Sequence, residues 1–172
     1  MKESILSIFN MENKTLNLQG RKGENMYEYD TYKTADCPLK IKKIRELPDI
    51  SMTSPEITAK YMRENFALEE KTEEFLYLIC LNSQNKGDGI FLVSRGTVNA
   101  SYFSPAEILK RVLMMNSPNF IILHNHPSGN VTPSMADKNI TERVKKLAEE
   151  MGLSLLDSII VGAKEFYSFS EH

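Results

Sequence analysis

The sequence predicts an α/β fold, built as a mixed β-sheet flanked by helices. Three observations lead to this prediction: short apolar runs suit strands, helical patterns begin at serine or serine-proline caps, and the two kinds of segment alternate along the chain. Some runs are close enough for hairpins, whereas others have a helix between them, so a mixed sheet is expected. With 172 residues and 41% hydrophobic content, the chain can bury one core of ordinary size.

Each predicted element has its own local signal. Apolar residues suggest a first strand at residues 39–44, and Ser54 followed by Pro55 begins a first helix, because proline suits the first helical position. Apolar runs at residues 75–81 and 89–93 predict two strands joined by a turn at residues 86–88. The later elements are a strand at 98–103, a helix from Ser104 to Met115, a strand at 120–124, a helix that starts near Ser134 and ends at Gly152, and closing strands at 158–161 and 166–169.

Residues 1–38 differ from the rest of the chain. They are polar and have little helical or strand periodicity, so we expect a loosely ordered N-terminal arm ahead of one domain over residues 39–172. The first ten residues are too polar for a secretory signal, and no apolar run approaches the roughly 20 residues of a membrane span. We therefore expect a cytoplasmic protein without a membrane partner.

The charge balance argues against a general affinity for polyanions. The formal net charge is -2 and the pI is near 6.0, so nucleic acid is not a favoured partner. Cys37 and Cys80 lack the spacing of metal ligands, and Cys80 suits a place in the core.

The most informative stretch begins at the end of a predicted buried strand. His124 and His126 are two residues apart there, and such residues point the same way in an extended chain. Both imidazoles can therefore reach one ion, and Asp137 is the obvious third ligand. Zinc in a hydrolase typically takes three protein ligands and leaves the fourth position for water. The pattern predicts an open site for one Zn²⁺ per chain.

The segment between the histidines and Asp137 brings that carboxylate back towards them. Pro127 and Pro133 restrict the backbone, and Gly129 permits a turn with positive φ. Ser134 stands at the N-cap of the next helix, which places Asp137 in the first helical turn. An ordinary capping box would explain Ser134 and Asp137, but it leaves the paired histidines unexplained.

These residues resemble the JAB/MPN (JAMM) zinc metalloprotease domain, and within it the bacterial RadC-like branch. The resemblance covers about residues 40 to 170 and implies the JAB/MPN, cytidine-deaminase-like architecture for the domain. It also implies a zinc-dependent peptidase or isopeptidase with a protein or peptide substrate. The runs that carry it are His124-Asn125-His126-Pro127-Ser128-Gly129, Pro133-Ser134 with Asp137, Glu74-Phe75-Leu76, Ser94-Arg95-Gly96-Thr97, Ser104-Pro105-Ala106-Glu107, and Leu155-Leu156-Asp157 to Val161-Gly162.

The resemblance also implies roles for residues outside the ligand set. Hydrolysis needs a positioned acid and base, and Glu74 is the residue that would hydrogen-bond the metal-bound water. Glu73 is its rival, because neighbouring residues in a strand face opposite sides. Ser134 resembles the family's oxyanion stabiliser, whereas Asn125 and Ser128 are interpreted as residues that shape the loop or orient a ligand.

One departure from the branch is visible at Asp157-Ser158, where many RadC-like chains carry Asp-His. The missing histidine affects the residues that support the site rather than the three ligands themselves. Nothing in the sequence specifies the leaving group or the oligomeric state.

Other functional classes remain as alternatives. The string His-Asn-His favours a nuclease only weakly. A zinc nucleobase deaminase is excluded, because this sequence lacks the His-x-Glu and Pro-Cys-x-x-Cys motifs of that class. The RadC branch has an association with DNA repair, and a cluster of basic residues could meet phosphate, although lysines on an edge strand more often prevent edge-to-edge pairing. A scaffold that has lost activity is a third possibility, which the intact set of site residues disfavours. The basic cluster consists of Lys40, Lys42, Lys43 and Arg45.

Overall fold

The computed structural model describes residues 26–34, 39–96 and 104–172. The predicted strand at residues 98–103 lies outside these ranges, as do residues 1–25 and 35–38 of the predicted arm. The described residues form a mixed sheet of seven strands flanked by three helices, which confirms the predicted fold class.

The sheet has the strand order β2-β1-β4-β3-β5-β6-β7. The β1–β4 and β5–β6 pairs are parallel, and the other neighbours are antiparallel. Strand β5 therefore lies near the middle of the sheet, between β3 and β6. The strands are β1 Met26–Tyr32, β2 Lys40–Leu47, β3 Glu74–Leu81, β4 Gly87–Gly96, β5 Asn119–Asn125, β6 Ser154–Val161 and β7 Phe166–Ser168.

Three α-helices and one 3₁₀ turn flank the sheet: α1 Pro55–Phe66, α2 Pro105–Met115, α3 Met135–Glu150 and the turn Leu68–Glu70. Helix α1 starts as predicted, with Pro55 in its first turn and the Ser54 hydroxyl accepting a hydrogen bond from the Ile57 N–H. Gly152 follows α3 with a φ of 71°, a conformation that favours glycine. Within the described residues, the helices are too short or too polar to span a bilayer.

The core has two layers, one on each face of the sheet. Helix α1 covers one face, and α2 and α3 cover the other. Strand β3 serves both layers by simple alternation. Its residues Phe75, Tyr77, Ile79 and Leu81 pack on the α1 side, and Leu76, Leu78 and Cys80 pack on the side of α2 and α3.

The expectation of a loosely ordered arm up to residue 38 is wrong for Met26–Tyr32. This segment is strand β1, which pairs with β2 on one side and with β4 on the other. Met26 is fully buried, but most of the strand is only half-buried. Its apolar alternation is therefore weak, and pairing with two neighbours stabilises it as a strand.

The turn predicted at residues 86–88 is also wrong. The chain turns earlier, where the Asn82 side-chain oxygen accepts hydrogen bonds from the N–H groups of Gln84 and Lys86. Asn85 completes the turn with a φ of 59°, a conformation that asparagine tolerates better than most residues. Gly87 begins β4 instead, where a side chain would collide with Met26.

Candidate metal centre

The two histidines lie where β5 ends at the middle of the sheet. His124 belongs to the strand and is 4% exposed. His126 follows the strand, and its N–H donates to the Val161 carbonyl of β6 at 3.0 Å. That bond holds the chain in line for one residue beyond β5. The two imidazole Nε2 atoms consequently lie 3.1 Å apart.

Asp137 reaches the histidines from the first turn of α3. Its Oδ1 lies 3.3 Å from His124 Nε2, and its Oδ2 lies 3.6 Å from His126 Nε2. One ligand atom from each of the three residues falls within 4.8 Å of the others. Asp137 is 3% exposed, so the carboxylate is held away from bulk water. The structure thus brings together the three residues that the sequence predicted as ligands.

A reciprocal capping box fixes Asp137 at the start of α3. The Ser134 Oγ accepts from the Asp137 N–H at 3.2 Å, and Asp137 Oδ2 accepts from the Ser134 N–H at 2.8 Å. The Ser134 hydroxyl also donates to Asp137 Oδ2 at 2.6 Å. Capping and ligand placement are therefore one arrangement, because the carboxylate that caps the helix also faces the histidines.

The His126 ring is oriented by a backbone carbonyl that sequence reasoning missed. Its Nδ1 lies 2.7 Å from the Asn130 carbonyl oxygen. With a proton on Nδ1 donated to that oxygen, Nε2 keeps a free lone pair that faces His124 and Asp137. Gly129 closes the loop with a φ of 78°, and its N–H donates to the His126 carbonyl at 2.9 Å.

The loop is supported from behind by the turn between β6 and β7. A Cβ atom at Gly162 would lie 2.5 Å from the Gly129 carbonyl oxygen and 2.9 Å from a Val131 methyl group. Arg63 of α1 holds this turn by donating to the carbonyls of Gly162 at 3.3 Å and Glu165 at 2.6 Å. Close backbone packing, possible only without a side chain at position 162, therefore positions the His126 loop.

The structure separates the two glutamates at the start of β3. Leu76 pairs directly with His124, and Glu74 lies two residues earlier on the same face of the sheet. The Glu74 Oε2 is buried and has no hydrogen-bond partner among the described residues. Glu73 instead forms an ion pair with Arg95, 2.5 Å from Nε to Oε2, with 42% of its side chain exposed.

Asn125 joins the end of β5 to the start of β3. Its Oδ1 accepts from the Phe75 N–H at 2.8 Å, and its Nδ2 donates to the Glu73 carbonyl at 3.0 Å. The Asn125 side chain is 1% exposed, and its bond with the Phe75 N–H is shielded from water. Because these two bonds flank Glu74, Asn125 fixes the backbone that carries that carboxylate.

The charges of the cluster influence one another strongly. Burial opposes ionisation of Asp137, but when both imidazoles also carry a proton on Nε2, hydrogen bonds from His124, His126 and Ser134 outweigh it and hold the pKa of Asp137 well below its usual range. The hydrogen bond with Asp137 in turn raises the pKa of His126, against the effect of burial. Burial raises the pKa of Glu74, although the nearby histidines partly offset it.

The donor set suits a divalent cation. Two imidazole nitrogens and a carboxylate converge. The lone pair of His126 Nε2 points towards the other two donors, and a cation between the three would stabilise this arrangement. On the same face, the buried Glu74 Oε2 has no hydrogen-bond partner among the described residues, so it is available to accept a proton. The group could therefore hold a metal ion beside a carboxylate suited to proton transfer.

Comparison with known proteins agrees with this geometry. The RadC-like JAB domain family model matches residues 52–172. A UPF0758 protein from Clostridium beijerinckii is 41% identical over 123 residues, which make up 72% of this chain and 53% of that protein. A UPF0758 protein from Histophilus somni is 39% identical over 122 residues, 69% of this chain and 53% of that protein.

A third relative is shorter. UPF0758 protein YkfG from Escherichia coli K12 is 37% identical over 125 residues, which make up 73% of this chain and 78% of that protein. The chain spans about half the length of the first two relatives. The match to the family model and the identity to these proteins confirm the resemblance read from the motif, and the chain belongs to the RadC-like JAB domain family.

Proposed function

We propose that the protein is a zinc-dependent hydrolase of amide bonds, of the metallopeptidase or isopeptidase kind, acting on a protein or peptide. One observation carries the proposal: His124, His126 and Asp137 converge beside a buried Glu74 oxygen that has no partner among the described residues. A purely structural site would not need an acid or base next to it.

The residues divide the work between holding an ion and moving a proton. His124, His126 and Asp137 would hold one Zn²⁺, which would supply a Lewis acid and lower the pKa of a water molecule to about 7. Glu74 takes the proton from the attacking water and delivers it to the departing amine. Burial raises the pKa of Glu74 towards neutrality, and a group that both takes up and releases a proton works best when its pKa lies near the working pH.

Ser134 steadies the carbonyl oxygen of the substrate as negative charge develops on it. In the structure its hydroxyl donates to Asp137 Oδ2. With the charge of Asp137 taken up by a cation, the Ser134 hydroxyl would be able to donate to the substrate oxygen instead, while its Oγ still accepts from the Asp137 N–H at the start of α3.

We do not favour nucleic acid as the partner. The basic cluster lies on edge strand β2, but Arg45 is bonded to Glu28 and Lys43 lies over the Tyr27 ring, 3.5 Å from its centre. These contacts leave fewer positive charges for phosphate than the sequence suggested.

Elemental analysis tests the proposed ion directly. Protein purified without added metal or an affinity tag should contain about one zinc per chain, and His126→Ala should lose it, because two ligands hold zinc far less tightly than three. The zinc-loaded protein should then cleave peptide or isopeptide substrates, and the zinc-free protein should not. Absence of metal in the unmodified chain, even after zinc is supplied, would overturn the proposal.

Substituting Gly162 should loosen the site from a distance. In Gly162→Ala the new methyl group collides with the Gly129 carbonyl, so the loop moves and the Asn130 oxygen leaves His126 Nδ1. We expect zinc affinity to fall by about 10- to 100-fold, the usual cost of losing such a supporting contact. Competition with a chromophoric chelator measures it, with the exposed neighbour Ala163→Ser as control. Equal affinities would show that the loop does not orient His126.

A further inference from the structure

Two polar contacts join α3 to the sheet at the metal centre. The first is Asp137 with His124, 3.3 Å from Oδ1 to Nε2. The second lies about one helical turn further along α3, where the Thr141 hydroxyl donates to Ser158 Oγ at 2.9 Å. Both hydroxyl residues are buried, so water does not compete for their hydrogen bond.

The two contacts are spaced alike on the helix and on the sheet. Thr141 follows Asp137 by four residues, which is about 6 Å along a helix. Ser158 pairs with Ile122, and Ile122 precedes His124 by two residues on the same face of β5, which is about 6.6 Å along a strand. The Thr141–Ser158 bond therefore keeps α3 in the register on the sheet that places Asp137 opposite His124.

Other contacts of α3 fix its register less strictly. The capping box of Ser134 and Asp137 lies within α3 and its N-cap, so it does not tie the helix to the sheet. Val144 and Ala148, also on the buried face of α3, are apolar and pack without a preferred direction. A small enclosed cavity borders both polar contacts, and side chains next to a cavity lose packing partners on that side. A directional hydrogen bond is therefore the interaction best suited to hold the helix in place.

Ser158 is itself held from the outer side of the sheet. Its N–H donates to Asp157 Oδ1 at 2.7 Å, and its carbonyl accepts from the Phe169 N–H at 3.0 Å. Asp157 Oδ2 in turn accepts from the Ser168 hydroxyl at 2.6 Å. Ser158, where this chain departs from many RadC-like chains, therefore offers Thr141 an acceptor with a fixed position.

We propose that Thr141 and Ser158 are positioning residues for the metal centre, and that their bond holds Asp137 at the distance from the two histidines that an ion requires. The inference rests on the proposed function, because it takes Asp137 and the histidines as metal ligands. The two hydroxyl groups act through α3 and do not touch the ion. Loss of their bond should therefore weaken metal binding separately from its effect on stability.

Thr141→Val tests the bond, because it removes the hydroxyl and keeps the shape of the side chain. The probe is Zn²⁺ alone, bound to the full chain in competition with a chromophoric chelator, and Co²⁺ in its place reports ligand geometry through its d–d absorption. Zinc affinity should fall by about tenfold, the lower end of the cost of losing a contact that supports a ligand, and the cobalt spectrum should change. Thr141→Ser, which keeps the hydroxyl, should restore both.

A double substitution separates positioning from stability. Thr141→Val alone leaves the buried Ser158 hydroxyl without its donor and should lower the free energy of unfolding. Adding Ser158→Ala removes both partners, so much of the stability should return, but metal affinity should stay low because the bond is still absent. Equal zinc affinity in Thr141→Val and the unmodified chain would overturn the proposal. Affinity that recovers together with stability in the double variant would overturn it as well.

Thr58→Val is the matched control on the other face of the sheet. Thr58 is also buried in a helix, and its hydroxyl donates to the Ser54 carbonyl at 3.0 Å. Its substitution should lower stability and leave zinc affinity unchanged. An equal loss of affinity in this control would show that affinity follows stability alone and would refute the positioning role.

The metal-free chain provides a test that does not depend on the proposed function. If the bond positions Asp137, the effects of Asp137→Asn and Thr141→Val on the unfolding equilibrium should be non-additive, because the contact of Asp137 with the histidines depends on the bond. Additive effects would overturn the proposal. Non-additive effects in a chain that never takes up zinc would uphold the positioning of Asp137 and remove the hydrolase.

Discussion

Replacing Glu74 by Gln is expected to lower the rate of hydrolysis by about 10²- to 10⁴-fold and to leave zinc content unchanged. The amide has almost the shape of the carboxylate, so the packing around it survives, but it cannot take a proton from water. Glu74 is not among the residues that could hold the ion, which is why the metal should remain. Single-turnover kinetics together with elemental analysis measure both quantities in one preparation.

Glu73→Gln is the matched control for this substitution. Glu73 is paired with Arg95 and partly exposed, so its loss should change the rate by less than about threefold. A Glu74→Gln protein that is as active as the unmodified chain would contradict the role of Glu74. A large loss in Glu73→Gln with none in Glu74→Gln would transfer the role to its neighbour.

Replacing Asn125 by Ala should both destabilise the fold and lower the rate. The change leaves the Phe75 N–H and the Glu73 carbonyl without the partners that the buried amide provides. Leaving one such group unpaired costs about 1–3 kcal/mol, so the loss of both bonds should lower the free energy of unfolding by about 2–6 kcal/mol. Activity should also fall, because the backbone on both sides of Glu74 loses its anchor to β5. Urea denaturation measures the stability, single-turnover kinetics measure the rate, and elemental analysis measures the zinc content.

The exposed Asn139 on α3 provides the comparison for Asn125. Asn139→Ala removes the same chemical group from a solvent-facing position, and its effect should stay within about 0.5 kcal/mol. If Asn125→Ala were no less stable than Asn139→Ala, the two strands would not depend on this amide. Zinc should be retained in both proteins, since neither residue belongs to the ligand group.

The sequence predicted the elements whose signals are local. Strands β3 and β5 were found because they are buried on both faces and read as apolar runs. The starts of α1 and α3 were found because Ser54 and Ser134 accept a backbone hydrogen bond at each N-cap. Strand β1 was missed because its stability comes from pairing with strands that are distant in the chain, and such pairing leaves no local pattern in the sequence.

The same distinction applies to the site. The clustering of His124, His126 and Asp137 could be predicted because a His-x-His strand end and a capped Asp lie close together in the chain. Glu74 came only from the family resemblance, since its approach depends on the pairing of β3 with β5. The Asn130 carbonyl and the Arg63 contacts could not be predicted, because every residue offers a backbone carbonyl and no residue type marks the one that is used.

The distance in sequence between Glu74 and the cluster of His124, His126 and Asp137 also affects the order in which the site forms during folding. His124, His126 and Asp137 belong to one strand-loop-helix unit, so the contacts among them close over a short span of chain and cost little loop entropy. Glu74 joins them only when two strands separated by about forty residues of intervening chain have paired in register. If the proposed function holds, we expect a chain in which β3 has not yet paired with β5 to bind metal before it is able to hydrolyse a substrate.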